Sequence, residues 1–159
     1  MGITENYLQV LSNSLDKKIV ILDQLAKLTE SQKLIAQADD FDDEAFQKTL
    51  DEKSELIENL EKLDSGFQTL YDKIKAQIEV DKDRYKKEIA ELQTKIKEIL
   101  DRSASLQVAE QKNRNIICKR FSELKKEVHQ VKKARDTAAN YYKTMNNITT
   151  EPYFMDQKK

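Results

Sequence analysis

Between Asp43 and Ile78, the apolar residues Phe46, Leu50, Ile57, Leu60, Phe67, Tyr71, Ile74 and Ile78 recur in steps of three, four or seven. That is the period of one helix face. Glu52, Lys53, Glu55, Glu58, Glu61 and Lys62 lie between them and predict a wet opposite side. An isolated helix of this length is marginal in water. The segments before and after it must therefore cover its stripe, and the chain is limited to a bundle of long helices.

The preceding stretch, from about Thr4 to Gln37, meets that requirement. Thr4 suits an N-cap, and Leu8, Leu11, Leu15, Ile19, Leu22 and Ala26 follow in three- and four-residue steps. Val20, Ile21, Leu25 and Leu28 widen the stripe enough to touch two neighbours. Asp39, Asp40, Asp42, Asp43 and Glu44 then interrupt it. This acidic knot lacks the glycine and the spaced bidentate acid of a calcium loop, so it reads as a turn in which Asp42 or Asp43 caps the next helix. Asp64, Ser65 and Gly66 mark a place where the second helix is expected to kink or fray.

Charge places the next turn. Residues 39–64 hold eleven acids and three bases, and residues 112–135 hold nine bases and two acids. A fold-back around Val80 to Arg84 sets the two blocks side by side. A turn at Arg102 to Ser105 and a single unbroken helix over 43–145 are the alternatives.

The last helix then runs over about 84–146, after helices over about 4–37 and 43–79, with a disordered tail over 147–159 that contains Pro152. At 1.5 Å per residue the first two helices measure roughly 50 to 55 Å and the third roughly 90 Å. Leu124, Val128, Val131, Ala134, Ala138, Tyr141, Tyr142 and Met145 would project beyond the other two helices as an uncovered apolar stripe. Such a stripe invites either a second copy, giving a homodimeric coiled-coil scaffold, or a client helix; with the turn placed elsewhere, the stripe is simply core. For a client, the contacting residues are Phe121, Leu124, Val128, Val131, Ala138, Tyr142 and Met145.

Composition agrees with an all-α, single-domain chain over 1–159, in the form of an elongated antiparallel three-helix bundle or coiled coil with a protruding C-terminal helix. Only two Gly and one Pro occur in 159 residues. The 28 basic residues balance 29 acidic ones, so the molecule as a whole makes no case for nucleic acid or membrane partners. The basic run over 112–135 is spaced around the apolar stripe and is expected to be a solvated face paired with the acids of the second helix. Cys118 is the only cysteine, the first eighteen residues lack a secretory pattern, and no stretch approaches a membrane span, so a cytoplasmic location is expected.

No catalytic or cofactor constellation is evident. His129 lies between Lys125 and Lys133 as a surface residue. Cys118, with no histidine nearby in sequence, is expected to pack as a small apolar residue. The sequence holds no glycine-rich phosphate loop and no metal-spaced ligand set. An enzyme is not expected.

The run Leu50-Asp-Glu-Lys-Ser-Glu-Leu-Ile-Glu-Asn-Leu-Glu-Lys-Leu-Asp64, which opens after an acidic turn, resembles the corresponding segment of FlgN-type flagellar export chaperones. The run Gln111-Lys-Asn-Arg-Asn-Ile-Ile117 is similar to the asparagine-containing stretch of their long last helix. The resemblance implies a cytoplasmic chaperone that binds the helical termini of hook-associated proteins, prevents their premature assembly and delivers them to the flagellar export gate. It also implies that Tyr141 or Tyr142 contacts that gate, although Lys143 follows here where the family often has glycine.

Overall fold

The computed structural model describes residues 2–126 and 132–149, and every regular element among them is helical. α1 spans Ile3–Gln37, α2 Asp43–Val80, α3 Lys86–Lys125 and α4 Lys132–Thr149. Gly2, rather than Thr4, is the N-cap of α1, and Thr4 lies in its first turn. The acidic knot caps α2 as expected: Asp42 accepts a hydrogen bond from the Ala45 amide at 3.0 Å. α2 runs unbroken through Gly66, because a lone glycine costs only about 1 kcal/mol against the hydrogen bonds and buried stripe on either side. The turn between α2 and α3 occupies residues 81–85 and closes through the Arg84 and Tyr85 amides, which donate to the Asp81 carbonyl at 3.1 and 3.3 Å. It needs no glycine, since no described residue has positive φ.

Side-chain pairs fix the register. Asp16 meets Lys95, Asp23 meets Arg102, Thr29 meets Glu110 and Gln32 meets Asn113. This nearly constant sequence separation means that α1 and α3 run parallel. Lys18 with Asp64, and Lys53 with Gln32, show α2 running antiparallel to α1. Lys53 with Glu110, and Phe46 with Phe121, show α2 antiparallel to α3. α1 packs against both other long helices. At the end where α2 begins, the rings of Phe41, Phe46 and Phe121 lie 5.3 to 5.6 Å apart between centroids and close the core.

The acidic and basic blocks do lie side by side in this register, where the Arg120 guanidinium donates to the Asp39 carbonyl at 2.9 Å. Among the described residues, the acids of 39–63 form no ion pair with the bases of 112–126. The ion pairs that do join helices run from α1 to α3 or are buried. Most of the described charges in both blocks are exposed, where an ion pair would contribute little.

The protruding last helix is corrected. α3 stops at Lys125, and α4 returns to pack against α2 and α3. Tyr141 sits beside Lys53, and Tyr142 beside Arg114, so the chain has doubled back along α3. The reason is the stripe itself. Ala138, Tyr141, Tyr142 and Met145 are 7 % exposed or less, and burying a side chain such as Met145 contributes roughly 2 kcal/mol. Turning back gives these residues cover that a straight helix would deny them. The tail expected over 147–159 is corrected at 147–149, which belong to α4, and residues 150–159 lie outside the described ones.

Candidate functional site: the seat of the last helix and the α1–α2 groove

The heptad-like seam of α1, from Leu8 to Ala36, carries Lys18, Thr29 and Gln32 at buried positions. The seams of α2 and α3 carry Lys53, Glu110 and Asn113 at theirs. Five of these six polar residues form one layer. The Lys53 ammonium donates to Glu110 Oε1 at 2.5 Å and to Gln32 Oε1 at 2.8 Å, Asn113 Nδ2 donates to Gln32 Oε1 at 3.1 Å, and the Thr29 hydroxyl donates to Glu110. Lys18 is separate and pairs with Asp64 at 2.6 Å.

Lys53 corrects the expected wet face of the second helix, because it is 0 % exposed. Burial holds its pKa down at about 8 despite the opposing pull of Glu110. Its spacing from Leu50 and Ile57 is that of the apolar stripe, a signal that its charge masked. A buried polar layer of this kind tolerates few registers, because a slip leaves a charge unpaired in a low-dielectric interior.

α4 roofs this layer. The Tyr141 ring lies over the Lys53 ammonium at 4.4 Å, a desolvated cation–π contact, and packs edge-on against Tyr142. Arg114 lies 5.8 Å from the Tyr142 ring. Burial, reinforced by the charge of Glu110, pushes both tyrosine hydroxyls well above their ordinary pKa. The Tyr142 hydroxyl makes no hydrogen bond among the described residues, nor do Gln32 Nε2 and Asn113 Oδ1.

The expected client-contacting residues are therefore placed as follows. Phe121, Ala138, Tyr142 and Met145 are buried against their own chain, and Leu124 is half-buried against the core. Val128 and Val131 lie outside the described residues, as does His129. Tyr141 and Tyr142, expected at an export gate, are core residues in this conformation. Cys118 is exposed rather than packed.

A different surface is open. Along one face of α1 and α2, two hollows of about 500 and 400 Å³ share Asn59. Val20, Ile21, Leu28, Leu56 and Leu63 form its apolar floor. Lys17 and Lys27 stand on the α1 rim with Asp16, whose carboxylate pairs with Lys95, and Glu52 and Glu55 stand on the α2 rim. Val20 is 54 % exposed. On α1 the groove spans residues 16–28, about three and a half helical turns, which suits an amphipathic helix with an apolar stripe and opposite charges on its two flanks. Val20, Ile21 and Leu28 widen the stripe of α1 as if two neighbours covered it, yet part of that widened stripe stays uncovered.

Among the described residues, no three His, Cys, Asp or Glu side chains converge as a metal site, and no helix is long and apolar enough to cross a membrane. Compared with known proteins, the chain matches no family model, no curated protein and no solved structure.

Proposed function

We propose that the protein is a non-enzymatic helical chaperone that holds an amphipathic helix of a client. The single observation that carries this reading is the open α1–α2 groove, with an apolar floor and oppositely charged rims. A client terminus that is disordered when free can fold onto such a groove and hide its apolar face, with ordering entropy holding the affinity moderate. A moderate affinity lets a downstream machine remove the client. The likeness of Leu50 to Asp64 to FlgN-type chaperones makes hook-associated proteins the clients to try first, the flagellar export gate the receiving machine, and the cytoplasm the place.

The test is co-expression with the hook-filament junction proteins of the source organism, followed by sizing chromatography. The reading expects co-elution that is lost in Val20→Asp, a change at a largely exposed position that leaves the bundle folded. Separate elution of the wild-type proteins overturns the client assignment. A free protein that elutes as a dimer, and as a monomer when it carries Val20→Asp, would instead assign the groove to a second copy and favour a homodimeric scaffold.

A further inference from the structure

α4 has 18 residues, and among its described side chains Ala138, Tyr141, Tyr142 and Met145 are the buried ones, all on one face. Detached, a helix of this length is marginal, so docking and folding of α4 are coupled. Its fit is incomplete in two respects. Tyr142 buries a hydroxyl with no hydrogen-bond partner among the described residues, above a layer in which Gln32 and Asn113 also leave polar atoms unmet. The electrostatics are also only half answered. The end of α3 that α4 returns along carries Lys112, Arg114, Lys119, Arg120 and Lys125 against the single acid Glu123, whereas α4 brings four bases and the single acid Asp136. Among the described residues no carboxylate of α4 pairs with a base of α3.

We propose that the seat of α4 on α2 and α3 is a second helix-binding site, held by α4 in the free protein and taken over by an acidic amphipathic helix of a partner protein. Such a helix offers α4's apolar face together with the negative charge that α3 lacks in its present neighbour. Lifting α4 also returns Lys53 and Glu110 to water, which compensates part of the lost burial. The exchange is independent of what fills the α1–α2 groove.

Hydrogen exchange on the full-length protein is the first test. Amides over 138–145 should exchange at least tenfold faster than those of the α2 seam around Leu50 to Leu60. Exchange of both sets at one common rate, limited by global unfolding, overturns the proposal. The second test uses labelled peptides of residues 132–149, either unchanged or carrying Arg135→Glu and Lys143→Glu. Full-length protein with Tyr141→Ala and Tyr142→Ala, in which the resident helix competes poorly, should bind the unchanged peptide at least tenfold tighter than wild type does. The acidic peptide should bind tighter still, by an increment that shrinks with added salt. Equal binding of the two peptides removes the acidic specificity, and no binding of either removes the site. Co-elution with hook-filament junction proteins would survive either result, so the two proposals fail separately.

Discussion

Lys53 of α2 and Glu110 of α3 meet at 2.5 Å with side chains 0 % and 6 % exposed, an ion pair enclosed by all four helices. With α4 docked, Lys53 is shut off from water and Glu110 is nearly so. The pair therefore acts less as a source of stability than as a constraint on register.

Removing one partner should be far worse than removing both. Lys53→Met strands the Glu110 carboxylate and should cost about 3–5 kcal/mol in urea unfolding. Lys53→Met with Glu110→Leu should recover most of that loss, because an apolar pair of similar volume needs no desolvation. A double variant as unstable as the single one would show that the hydrogen bonds of this layer, rather than its charges, hold it.

The contrast between Lys53 and the aromatic core shows how far the sequence could be read. The first two helices and the Asp42 cap follow from local signals, since stripe and cap act within a few residues, whereas the turn at 81–85 rests on setting two distant charge blocks side by side. Lys53, Gln32 and Glu110 occupy stripe positions, yet their polarity hides them until three helices are assembled in register. The return of α4 depends on a tertiary choice: whether its stripe finds cover at home or outside. Sequence spacing sets the stripe but not its destination.

Gly66 gives a cleaner test of local energetics. It lies within α2, and a Cβ built there meets nothing within 4 Å. Gly66→Ala should therefore stabilise the protein by about 1 kcal/mol, through helix propensity and a less flexible unfolded chain. The urea midpoint should rise with an unchanged slope. No gain would mean that flexibility near Asp64 is already limited in the unfolded state.

Alkali should act on the roof of the polar layer. Tyr141 and Tyr142 have folded-state pKa values raised by burial, so their contribution to stability is complete below the ordinary tyrosine value of 10.0 and is lost as pH rises above it. Lys53 has the opposite sign: its pKa is lowered from 10.5 to about 8, so its burial penalty is relieved as pH climbs through that interval. Thermal stability should accordingly rise modestly from pH 8 toward 10 and then fall. Tyrosinate absorbance should appear together with loss of α4 protection rather than before it, because neither hydroxyl ionises readily in place. Tyr141→Phe with Tyr142→Phe keeps both rings and removes both ionisations, and should shrink the alkaline fall while leaving the rise, with Tyr71, whose pKa burial also raises, accounting for what remains. A fall of undiminished size in the double variant would place the sensitive group elsewhere.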